Sequence, residues 1–195
     1  PLANAVLMTI FAGLGTEVVA AYGAASRVEA LLLIVMMALS SVLAPFISQN
    51  CGAGNPARAK AALQFCMRFA LLFQLGVYGL TWLLAPLIAN LFSDHPQVVR
   101  LIILYLHLVP IGYGFQGMVM LLASALNGVR ASSISFLFNG LRLFVFLLPG
   151  AWLGAELGGE QGVYLGILLA NLAAGTLAWW YARHRFERLC HQGKP

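Results

Sequence analysis

SSVLAPFISQNCGAGNPARAKAA, residues 40–62, is the stretch that decides the fold. A long apolar run ends at Ile47. A polar turn punctuated by Gly52, Gly54 and Asn55 follows, and Pro56, Arg58 and Lys60 open the next apolar run. Glycine and asparagine tolerate the backbone of a tight reversal. Proline suits the first turn of a helix, where its missing N–H would have had no partner. Two long apolar helices joined by a short basic loop form a membrane hairpin, and the positive-inside rule puts that loop in the cytoplasm.

Composition extends the reading to the whole chain. Of the 195 residues, 61% are hydrophobic and 9% charged, and the mean hydropathy is +0.87. A soluble domain carries roughly 25% charged residues. The chain is therefore expected to be an all-α integral membrane protein embedded in a lipid bilayer. The net charge of +5 resides mostly in loops and the C-terminal tail, which points to topology and away from nucleic acid. Cys51, Cys66 and Cys190 show no C-x-x-C or metal-ligand spacing, so they are expected to be free thiols. No signal-peptide layout precedes the first apolar run.

Working outward, six transmembrane helices are expected, over about 1–14, 26–47, 59–92, 98–126, 132–153 and 163–182. The first run is shorter than the roughly 20 residues a span needs, so a truncated helix is expected there. Residues 183–195 form a basic tail. One set of loops, with that tail, carries Arg58, Lys60, Arg130, Arg183, Arg185, Arg188 and Lys194. The other carries Glu17, Asp94, Glu156 and Glu160, with Arg100 and Arg27. This asymmetry predicts an inner (plasma) membrane protein with a cytoplasmic C-terminus. Gly150-x-x-x-Gly154 and Gly162-x-x-x-Gly166 are helix-packing signals. Pro110, close to Gly112, Gly114 and Gly117, marks the fourth helix as the one expected to break beside a binding site.

Polar residues inside such helices are the candidate site. Arg142 lies roughly 15 Å into the fifth helix at 1.5 Å per residue, near the membrane midplane. A charge at that depth faces a cavity or a partner, unless it snorkels to the headgroups. Asn139 lies three residues earlier, on the same face of a regular helix. Arg27 and Glu29 are placed near the outer end of the second helix. Glu29 is the one carboxylate within a span, hence a candidate proton or ion site, or else an interfacial group. Gln116, Asn4 and Asn171 either line a cavity or bond neighbouring helices. His107 is read as a packed histidine. No H-E-x-x-H, G-x-S-x-G or Walker A motif is present, so no catalytic residue, metal site or cofactor is expected, and the chain is not read as an enzyme.

Three stretches carry a resemblance: GTEVVAAYGAASRVEALL, PFISQNCGAGNPARAKAAL and SALNGVR. Together they resemble the multidrug and toxic compound extrusion (MATE) family, specifically its C-terminal six-helix lobe. The resemblance implies one lobe of a twelve-helix antiporter, whose missing N-terminal lobe would close a central cavity. It implies exchange of small organic cations for a coupling ion, H+ or Na+. In some members the fourth helix of this lobe carries an acidic cation-site residue. Counting back from Gly128 puts Gln116 at that place, so that site does not carry over. A lipid-linked oligosaccharide flippase of the same superfamily and an integral membrane enzyme are the alternatives. A cavity lined by several basic residues would favour the flippase. A purely structural subunit would leave Arg142 without a purpose.

Overall fold

The computed structural model describes the backbone of residues 2–192 and the side chains of residues 5–190. Every element among them is helical. Five reversals, at Gly15, residues 53–55, 93–95, 129–131 and Gly158–Gly159, divide the chain into six helical passes. In order these are α1 (Leu2–Leu14), α2 (Thr16–Leu32) continued by α3 (Ile34–Gly52), α4 (Pro56–Phe92), and α5 (Pro96–Leu108) continued through a 3-10 turn, Val109–Gly112, by α6 (Tyr113–Gly128). Then come α7 (Ser132–Gly140), a π-helical stretch (Leu141–Leu147) and α8 (Leu148–His184), which bends back on itself. A short α9 (Phe186–Gln192) ends the order. Among the described residues four stretches are long and apolar enough to cross a membrane: Ile34–Gly52, Pro56–Phe92, Pro96–Gly128 and Ser132–His184. The last crosses twice, because Gly158 and Gly159 leave the helical region and Gly159 takes φ 56.

Lipid and protein select different faces of these helices. On α4, Phe65, Leu72, Leu75, Leu83, Leu87 and Leu91 are exposed, an apolar stripe suited to acyl chains. Its opposite face buries Ala59, Leu63, Met67, Ala70, Ala85 and Ala89. The centre of the lobe is α6, which packs against α3, α4, α7 and α8. Small residues let it do so. A Cβ on Gly128 would meet the Ala44 carbonyl of α3 at 2.6 Å. The Ser124 hydroxyl donates to the Ser40 carbonyl of α3.

The glycine signals resolve into a specific contact. The two arms of α8 lie against each other with Gly154 on Gly162 and Gly150 on Gly166. A side chain on Gly154 or Gly166 would run into the facing carbonyl. The expected loop over residues 154–162 is thus a turn centred on Gly158–Gly159, with helix on both sides.

Two further expectations are corrected. The second helix begins at Thr16, not near Ser26. Gly15, at φ 130, supplies the reversal within a single residue. Residues 16–25, expected to precede the second helix, are its first turns, and Tyr22, Ser26 and Glu29 on one side of it line a cavity. Second, Cys51 and Cys190 are not free thiols: they form a disulfide with Cα atoms 5.1 Å apart. Phe186–Gln192 of the tail form α9, with Phe186 buried and a Lys60–Glu187 ion pair of 3.0 Å. That docking brings Cys190 to the end of α3. In denatured, unreduced protein a maleimide should modify Cys66 and neither of its fellows. Labelling of Cys190 without reductant would show the pair open.

Candidate functional site

Three breaks in helical regularity converge on one cavity. A local irregularity at Leu33, which keeps its helical hydrogen bonds to Glu29 and from Met37, marks the boundary of α2 and α3, the 3-10 turn separates α5 from α6, and the π stretch interrupts the helix that carries Arg142. Irregular backbone inside a membrane needs partners for its freed polar groups, so it occurs where protein or cavity lies alongside. At the first break Gln74 on α4 supplies one: its amide donates to the Leu32 carbonyl at 2.9 Å. The second break falls at Pro110, whose missing N–H prevents a regular ladder. π-helical turns are frequent at functional sites because the wider turn re-aims its side chains.

The cavity has a volume of about 450 Å³, and its polar lining comes from Tyr22, Ser26 and Glu29 of α2, Tyr105 of α5, Gln116 of α6, Arg142 and Asn171. A continuous run of hydrogen bonds crosses it. Arg142 Nε donates to Asn171 Oδ1 at 3.4 Å. Asn171 Nδ2 donates to Gln116 Oε1 at 3.3 Å. Gln116 Nε2 donates to Glu29 Oε1 at 3.1 Å. From the other side, Tyr105 Oη donates to Glu29 Oε2 at 2.9 Å, and Tyr113 Oη lies 3.5 Å from Tyr105 Oη as its donor. Both carboxylate oxygens of Glu29 are therefore acceptors. Aromatic rings back this network: Tyr22 packs on Phe11 at 4.3 Å between centroids, and Tyr105 meets Tyr164 edge-on at 5.2 Å.

Four of the residues singled out in the sequence, Glu29, Arg142, Gln116 and Asn171, thus lie together. Asn171 is 1% and Gln116 7% exposed. Arg27 is exposed on the opposite side of α2 and lines no part of the cavity. Asn139 is not in the network, and its amide donates back to the Ser135 carbonyl of its own helix at 3.0 Å. The π stretch begins two residues later, and its wider turn breaks the register that would have placed Asn139 beside Arg142. The Asn4 side chain lies outside the described residues. His107 stacks on Trp82 at 5.2 Å, away from the cavity. Glu29 is also deeper than the sequence reading placed it, about 20 Å along the helix from the Gly15 turn. Tyr105, Tyr22 and Tyr113 were not singled out. An aromatic residue in an apolar helix carries no mark that separates lipid-facing from cavity-facing positions.

A half-buried carboxylate, a cation and a train of amides around an open cavity are equipped for binding and release, and among the described residues of the cavity no nucleophile–base pair for bond-breaking stands beside them. Among the described residues no group of three His, Cys, Asp or Glu stands close enough to hold a metal.

Residues 1–153 match the MatE family. The chain belongs to that family. Along its whole length it is 42% identical to a protein of Shewanella oneidensis described as an FAD transporter, of which it covers 42%. Its fold superposes on the Vibrio cholerae MATE transporter VcmN in the bent form with a TM-score of 0.94 and 32% identity, covering 100% of this chain and 44% of that one. A MOP superfamily transporter from Pyrococcus furiosus shares the fold at TM-score 0.90 and 22% identity, over 96% of this chain and 43% of that one. The chain therefore spans less than half the length of the relatives it matches. It is one six-helix lobe of a multi-pass MATE-family membrane transporter. The membrane-enzyme alternative falls, because members of this family are transporters.

Proposed function

We propose that this MATE lobe serves an exporter of a flavin dinucleotide or a similarly built aromatic anion, driven by exchange against H+ or Na+ at Glu29. The observation that carries the reading is Arg142. Among the described residues its guanidinium makes one hydrogen bond and no ion pair, while lining the cavity. A guanidinium has five N–H donors. A half-buried one without a carboxylate partner is costly until an anion meets it, and its planar fork matches phosphate. The tyrosine wall suits a flat ring system. The FAD-transporter description of the Shewanella relative fits both features.

The second reading is multidrug efflux of organic cations, favoured by Glu29 itself, whose carboxylate would attract a cation beside aromatic rings. A flippase is less favoured, since among the described residues Arg142 is the one basic side chain lining the cavity. The loop charges support an inner-membrane orientation with the C-terminus in the cytoplasm.

The test uses the full-length transporter in proteoliposomes, with FAD and ethidium as alternative cargoes. Arg142→Ala should slow FAD transport about 10- to 100-fold, the loss expected for a charge-assisted phosphate contact. Arg130→Ala, altering an exposed residue in the turn before α7, should change little. Ethidium transport that needs Glu29 but not Arg142, with no FAD transport, would replace the first reading with the second.

A further inference from the structure

We propose that Gln116 and Asn171 are positioning residues that make the protonation of Glu29 and the docking of Arg142 a single two-state variable. The inference rests on Glu29 being the group that exchanges the coupling ion, and it is independent of the cargo. Its basis is the polarity of the hydrogen-bond run. Arginine can only donate, so Arg142 turns the oxygen of Asn171 toward itself and the amide nitrogen away. That nitrogen fixes the oxygen of Gln116 toward Asn171, which turns the Gln116 nitrogen onto Glu29 Oε1. The guanidinium thereby dictates, through two neutral amides, that Glu29 Oε1 must accept.

A proton on Oε1 reverses the sequence. Glu29 becomes a donor facing the donor of Gln116. Gln116 must turn over, then Asn171 must turn over, and Asn171 then presents N–H groups to Arg142. The guanidinium loses its protein acceptor and leaves its docked pose. The Oε2 side does not relieve this. Tyr113 donates to Tyr105 and Tyr105 to Glu29, and no hydrogen bond to a further acceptor continues from Tyr113 among the described residues. The titratable groups around the cluster are Tyr22 on Glu29's own helix, Tyr105, Tyr113 and Arg142. Arg142 is the one cation among them. Burial enforces the coupling. Asn171 is 1% exposed and wedged against the backbone of the 3-10 turn, where a Cβ on Gly112 would meet its own Cβ at 3.1 Å, so an amide of this residue left without its partner is costly. A ligand that prefers the docked arginine is thereby linked against the proton, and the linkage is reciprocal.

The experiment reads Glu29 directly, by infrared titration of the protonated carboxyl C=O band in purified full-length transporter. The band is assigned by its loss in Glu29→Gln. Asn171→Leu removes the relay without adding charge, so Gln116 is free to turn. The midpoint of the titration should move upward by roughly one pH unit, the bias of about one hydrogen bond. In an Arg142→Met background the same substitution should move the midpoint no further, because the end that dictates polarity is already gone. Asn171→Ala keeps the Cβ that packs on Gly112 and should repeat both results if the leucine variant does not fold. An unmoved midpoint in both Asn171 variants would leave that residue a packing role and overturn the proposal. So would an equal shift in both backgrounds, which would show that Arg142 is not at the end of the relay. A wild-type band that survives in Glu29→Gln and does not titrate with transport would remove Glu29 itself. That outcome is distinguishable from failure of the relay alone.

Discussion

Glu29→Gln in the full-length transporter should abolish gradient-driven accumulation of substrate while leaving the protein in the membrane at normal abundance. Glutamine keeps the shape and can still accept from Tyr105 at one position, so the packing of α2 against α5 survives. What is lost is the ability to gain and release a cation. Coupling in an antiporter is a free-energy difference between states of one site. Without an exchangeable ion the imposed pH or sodium gradient has nothing to act on at this place. The concentration ratio reached against the gradient should fall about tenfold or more, the size of a typical coupling term of 1–3 kcal/mol. Downhill exchange should persist. Glu156→Gln, which changes an exposed carboxylate outside the cavity, is the matched control. Wild-type accumulation with unchanged pH dependence in Glu29→Gln would assign coupling to the other lobe.

The parts of this site that were legible in the sequence share one property. Glu29, Gln116, Arg142 and Asn171 are polar residues in apolar surroundings, and a membrane makes such residues conspicuous. What was not legible is that they touch. Their bonds join positions 29, 55 and 87 residues apart in sequence. No periodicity within one helix encodes contacts between helices. Asn139 shows the converse error. Its three-residue spacing from Arg142 has meaning only on a regular α-helix, and the π stretch at Leu141–Leu147 removes that condition. The start of α2 was misplaced for a related reason. Hydropathy detects lipid-facing surface, and Tyr22, Ser26 and Glu29 of this segment line the cavity instead. Likewise the Cys51–Cys190 bond depends on α9 folding back onto α3 and α4 across 139 residues, which spacing rules do not reach. The hairpin loop and the glycine pairs were readable because each is a local rule.

Gly154→Val should be the most damaging substitution to the fold. The arms of α8 approach so closely at Gly154 and Gly162 that each glycine's missing side chain is the other's backbone space. Valine adds three carbons there, and both neighbours are main chain, which cannot rotate away as a flexible side chain would. The arms must separate along the seam. That would also pull apart Gly150 and Gly166, where a Cβ added to Gly150 would stand 3.0 Å from the Gly166 carbonyl. Close backbone packing is a main source of attraction between helices in lipid, since lipid tails offer side chains as good a solvent as the protein does. Overpacking of this kind costs roughly 1–3 kcal/mol where side chains can yield, and more is expected here because none can. The second arm also carries Asn171, so the amide relay should open with it. Thermal unfolding of the detergent-solubilised full-length transporter should therefore fall well below wild type. Gly140→Ala and Gly76→Ala meet nothing within 4 Å and should leave it unchanged or slightly raised, because alanine favours helix over glycine by about 1 kcal/mol. A Gly154→Val protein as stable as these two controls would mean that the arms do not meet at their glycines.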